Sequence, residues 1–84
     1  MPIITRFNGI VVRMYYEQSE HNPPHIHIGY GEYAAEIEIE TGEILAGFLP
    51  VRIYTSVSKW LAIYRSELLK MWETQQFHTL PPLA

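Results

Sequence analysis

Between residues 10 and 48, apolar and polar side chains alternate in short runs separated by turn residues. After Pro50 the spacing changes to that of a helix. Ile3 to Phe7 is a short apolar run, and Asn8-Gly9 follows as a hairpin turn in which both residues tolerate positive φ. Ile10 to Glu17, rich in β-branched and aromatic residues, reads as a second strand. Residues 18–24 form a loop, and His25 to Tyr30 alternates as a third strand. Gly31-Glu32 fits a two-residue turn with glycine first, and Tyr33 to Glu40 alternates again. Thr41-Gly42 turns the chain into a fifth short strand, Ile44 to Phe48. Pro50 suits the first turn of a helix. Ile53, Val57, Trp60, Leu61, Tyr64, Leu68, Met71 and Trp72 then recur at helical spacing. They describe one long helix, or two with a bend near Arg65-Ser66.

The architecture expected is α+β: an antiparallel meander of about five strands with one C-terminal helix packed on one face. The face carrying Ile10, Val12, Met14, Ile26, Ile28, Ala35, Ile37, Ile39 and Ile44 is the partner expected for the helix. Residues 1–84 make one domain by length, with 79–84 as an extended, loosely held tail.

The turn at Gly31-Glu32 also sets a register. If Tyr30 pairs with Tyr33, Ile28 opposes Ala35 and Ile26 opposes Ile37 on the core side. On the other face His27 then falls opposite Glu36, and His25 opposite Glu38. Arg13 and Tyr15 share that face from the preceding strand, at a register the sequence does not fix. Three of the four histidines lie in His21-Asn22-Pro23-Pro24-His25-Ile26-His27, and a small domain has no packing need for such a concentration of imidazoles.

Composition narrows what this face can do. With 48% hydrophobic residues the chain is an ordinary globular protein rather than a disordered one. It has no cysteine, which removes disulfides and thiolate metal sites. No apolar run is long enough to span a membrane and no signal peptide is visible, so a cytoplasmic location without membrane attachment is the expectation. The net charge is −3 and is unevenly placed. Residues 1–49 set Arg6 and Arg13 against seven glutamates, whereas residues 50–84 carry Arg52, Lys59, Arg65 and Lys70 against Glu67 and Glu73. That distribution argues against broad nucleic-acid binding, though not against recognition of a few phosphates.

Three readings of the histidine-bearing face compete. An H-x-H pair on one strand can present two imidazoles to zinc, with His21, His25 and His27 as metal ligands and Glu36 or Glu38 in support. Alternatively His25, His27, Glu36, Glu38, Arg13 and Tyr15 form a metal-free acid–base site for RNA or another phosphodiester. Histidine would move protons there and arginine would hold the phosphate. The third reading is a solvated face with cross-strand His–Glu pairs and no chemistry. Because His25 and His27 project from one strand face, replacing both by Ala should leave the fold intact.

The chain resembles a small bacterial family known as domain-of-unknown-function family 4160. The resemblance rests on Met1-Pro2-Ile3-Ile4-Thr5-Arg6-Phe7 with Gly9 to Tyr16, on His21 to His27, and on Tyr30-Gly31-Glu32-Tyr33 with Ile39 to Glu43. It rests also on Leu49-Pro50 leading into a helix with Trp60 and Trp72. It implies genes that lie beside a second small protein of unknown function, in an arrangement similar to toxin–antitoxin pairs. It supplies no activity, cofactor or catalytic residue. The expected function is therefore one half of such a pair, acting through a second small protein or as a homodimer. The alternative is a small histidine-centred nuclease or hydrolase, with or without zinc. An interaction module should expose an apolar patch, with Ile4, Val11 and Leu45 as candidates. An enzyme should show a concavity around His25 and His27.

Overall fold

The structure is a computed structural model, and it describes residues 2–15 and 23–83. His21 and the Tyr16-to-Asn22 stretch lie outside the described residues. Five strands, β1 (Ile3–Phe7), β2 (Ile10–Arg13), β3 (His25–Tyr30), β4 (Tyr33–Glu38) and β5 (Ile44–Gly47), precede one helix, α1 (Val51–Thr74). The strands pair in the order β1-β2-β3-β4-β5, each antiparallel to its neighbour. This is the α+β meander expected from the alternation.

The helix covers the apolar face of the sheet. Ile53, Val57, Trp60, Leu61, Leu68 and Met71 are buried on its inner side, against Ile10, Val12, Met14, Ile26, Ile28, Ala35, Ile37 and Ile39 in one core cluster. Ile44 departs from the expected core set and is 39% exposed. It sits on the edge strand at a bulge: Ile37 pairs with Ile44 and Glu36 with Ala46, leaving Leu45 as the extra residue. Ile4, a candidate for the exposed patch, is fully buried. The register of β1 against β2 shifts between Ile3 and Thr5, so the simple alternation breaks there.

The bend in α1 falls at Tyr64, whose φ of −109° and ψ of 16° leave the helical region inside an otherwise continuous element. Next to it, the Arg65 Nε–H donates to the Ile39 carbonyl oxygen at 2.7 Å. That bond ties the second half of the helix to the end of β4. The helix stops at Gln75, which adopts a left-handed conformation (φ 58°) and returns its N–H to the Met71 carbonyl. The residues after it are extended but not loose. The Leu80 N–H donates to the Ile4 carbonyl at 2.8 Å, and the Trp60 Nε1–H donates to the Pro81 carbonyl at 2.8 Å. The free side of β1 is therefore partly covered by the tail. No described helix is long and apolar enough to cross a membrane.

Gly47 ends β5 with φ of 86°. A side-chain carbon there would overlap the Ala34 carbonyl oxygen and lie 2.8 Å from the Ala35 Cα. Both neighbours are backbone and cannot swing aside. Gly47→Ala is therefore expected to lower the stability of the protein by about 3 kcal/mol, read from urea unfolding. A loss below about 0.5 kcal/mol would show that β5 can detach from β4 without cost.

A candidate His–Glu–Arg site on the open sheet face

The face away from α1 takes its side chains from the opposite parity of each strand. Pairing brings Arg13 of β2 opposite His27 of β3, His27 opposite Glu36 of β4, and Glu36 opposite Ala46 of β5. These four residues form one row across the sheet. The parallel row below it is Val11, Gly29 and Ala34, and above it His25 opposes Glu38. The register argued from the Gly31-Glu32 turn is the one observed.

Small residues make this face concave. Gly29, Ala34, Ala46 and Gly47 leave a depression of about 350 Å³, walled by Arg13, Tyr15, His27 and Glu36. The Arg13 Nη1 lies 3.8 Å from where a Cβ on Gly29 would stand, so the guanidinium extends over the floor. Arg13 forms no ion pair among the described residues. Tyr15 packs against the His27 ring, centroids 4.3 Å apart and rings nearly perpendicular at 83°.

His25 differs from its neighbours. It is only 4% exposed, and Trp72 from the last turns of α1 packs on it, with ring centroids 5.0 Å apart. Its Nδ1 lies 2.8 Å from the Pro23 carbonyl oxygen. A carbonyl can only accept, so Nδ1 carries the proton and donates. The other nitrogen, Nε2, faces the Glu36 carboxylate, 3.3 Å from Oε1. The partner in space is thus the diagonal Glu36 and not the directly opposed Glu38. Glu38 accepts instead from the Thr41 hydroxyl at 3.1 Å, in the turn that follows β4. The His27 ring stands 5.1 Å from that of His25. Ligand-competent atoms of His25, His27 and Glu36 all lie within 4.8 Å of one another.

Of the six residues expected to act together, Arg13, Tyr15, His27 and Glu36 line the depression, and His25 joins them from its buried end. Glu38 is turned away. His21 lies outside the described residues. Trp72 was expected only as a helix-packing residue. Its contact with His25 depends on where a bent helix ends, which no local pattern records.

The fold and the site together define a small α+β protein with a cluster of two imidazoles, a carboxylate and a guanidinium on an otherwise open sheet face. Residues 9–73 match the family described as a domain of unknown function (DUF4160), and the chain belongs to it. No curated protein and no solved structure matches the chain with significance.

The burial of His25 corrects the expectation that both histidines are dispensable to folding. His25→Ala removes a hydrogen bond to Pro23 and opens a gap beside Trp72, and should cost about 2 kcal/mol. His27→Ala, on the open face, should stay within about 1 kcal/mol of wild type. Thermal or urea unfolding of the two single variants checks the ordering. Equal stabilities would contradict it.

Proposed function

We propose that the open face is a hydrolytic site for phosphodiesters, with RNA as the substrate class. The observation that carries this reading is the row Arg13–His27–Glu36 across adjacent strands, set around a concavity with a glycine and alanine floor. Arg13 has a guanidinium extended over that floor, where it can hold two non-bridging phosphate oxygens. The His25, His27 and Glu36 cluster supplies proton acceptors within reach of an attacking water. Water oxygen bonds to phosphorus as the cluster takes its proton. The ester P–O bond breaks, and the proton passes to the departing oxygen. The acidic character of residues 1–49 limits the contact to one or two phosphates rather than a long nucleic-acid track.

Two variants test this. Arg13→Gln should lower kcat/KM on a short oligoribonucleotide by about 10- to 100-fold, the worth of one charge-assisted contact. Gly29→Val should fill the depression and abolish turnover while leaving stability unchanged or higher, since its backbone needs no positive φ and valine suits a strand. Full activity in the Gly29→Val protein would remove the depression from the mechanism.

A second reading has its own observation. Along and after the edge strand, Leu45 is 44%, Phe48 62% and Val51 80% exposed, and Tyr33 packs on Phe48 at 5.7 Å. Among the described residues no strand pairs with the outer side of β5. This apolar edge supports the reading that the protein is one half of a toxin–antitoxin-like pair and meets a second small protein there. Phe48→Ser should abolish co-purification with the protein encoded beside it while sparing phosphodiester cleavage. Unchanged co-purification would move the contact elsewhere. Dimerisation of the isolated chain that Phe48→Ser abolishes would assign the edge to a second copy instead.

A further inference from the structure

We infer that His25, His27 and Glu36 form a binding site for one divalent transition-metal ion of the zinc class. This rests on the hydrolytic reading of the same face and changes one role in it. With an ion bound, these three residues would hold it rather than take the proton, and the proton of an attacking water would pass to solvent or to the departing oxygen. Glu36 joins His25 and His27 in this set, and His21, the third ligand suggested by the sequence, lies outside the described residues.

Three observations carry it. The first is convergence: one donor atom from each residue lies within 4.8 Å of the others. Zinc bonds of about 2.0–2.2 Å to imidazole and carboxylate place donors roughly 3.3–3.5 Å apart in a tetrahedron. His25 Nε2 and Glu36 Oε1 are already 3.3 Å apart, so only small side-chain rotations are needed to close the set.

The second is orientation. The Pro23 carbonyl accepts from Nδ1 of His25 at 2.8 Å, which directs Nε2 toward Glu36. A carbonyl on the far nitrogen is the usual outer support of a metal-bound imidazole, because it fixes both tautomer and ring angle. Trp72 holds the same ring from the side. A proton on Nε2 would also satisfy the contact with Glu36, but it would join only two of the three residues. A cation joins all three, including His27, whose ring stands 5.1 Å from that of His25.

The third is the donor set and its surroundings. Two imidazoles and one carboxylate suit zinc better than magnesium or calcium, which favour all-oxygen sites. Three protein donors leave a position for water or a substrate oxygen, as hydrolytic zinc sites require. Arg13 is directed toward Gly29, along β3 away from His25, so its positive charge is offset from the convergence point.

The test uses the full chain after removal of metals with a chelator. Calorimetric titration with Zn²⁺ should give one ion per chain. Glu36→Gln and His27→Gln, both at half-buried positions that can fold without the native side chain, should weaken binding at least tenfold. His78→Ala should not change it. Co²⁺ should quench Trp72 emission, and Trp72→Phe should remove that response. Absence of stoichiometric binding, or binding unaltered in both Glu36→Gln and His27→Gln, would overturn the inference. Zinc binding without cleavage of any phosphodiester leaves this site standing and removes the hydrolytic reading. Cleavage that persists after chelation, with no stoichiometric binding, does the reverse.

Discussion

The pairing of Ile26 with Ile37 and of Ile28 with Ala35 beneath α1 is the constraint on which the rest of the structure depends. A strand alternates its side chains with a period of two, so any one-residue slip would drive the histidines into the core and the isoleucines into solvent. Gly31-Glu32 prevents that slip by pairing Tyr30 with Tyr33, and Gly31 takes the positive φ of 57° that the turn needs. One helix can cover one face. Once Trp60, Leu61 and Leu68 have filled the apolar side, the other side of this meander stays open, and the polar set of β2, β3 and β4 comes together there without further instruction.

The site is nevertheless not independent of the helix. The bend at Tyr64 and the bond from Arg65 to the Ile39 carbonyl fix the path of the second half of α1. That path places Trp72 against His25. From the other direction, Pro23 and Pro24 both spend their carbonyls on the same corner. Pro23 accepts from the His25 ring, and Pro24 accepts from the Ile39 N–H at 2.9 Å. Proline offers no N–H of its own, and its restricted φ leaves this corner fewer conformations to lose on folding. His25 is thus held by Pro23, by its strand and by the last turns of α1, whereas His27, in its strand, packs against Tyr15.

What the sequence made legible follows from this division. Strand order, the central register and the choice of open face all derive from local periodicity and turn chemistry, whereas the periodicity leaves a straight helix and a bend near Arg65-Ser66 both open. The features that escaped it depend on contacts between distant segments. His25 packs on Trp72, 47 positions along the chain. Its carboxylate partner is Glu36 rather than Glu38 because Thr41 draws Glu38 into the next turn. Ile4 is core and Ile44 is not because two bulges, between Ile3 and Thr5 and between Glu36 and Ile37, break the alternation. The tail is held because Leu80 and Pro81 find partners in β1 and Trp60. Each case is a tertiary contact overriding a local rule.

The floor of the depression bears on whether the open face is a site or an ordinary solvated surface. A solvated sheet face gains stability from long or β-branched side chains, which cover the backbone and pack across strands. Here the middle of the face carries Gly29, Ala34 and Ala46. Of these, Gly29 has no positive φ and no backbone neighbour that would forbid a side chain. Glycine in a central strand costs conformational entropy and packs nothing. A larger residue would be accommodated there, yet the position stands empty beneath Arg13 and beside His27, which is the open space the proposed site would need. The apolar edge at Leu45 and Phe48 lies on and just after β5, whose Ala46 and Gly47 also belong to the floor of the depression. The apolar edge and the depression thus meet on one strand.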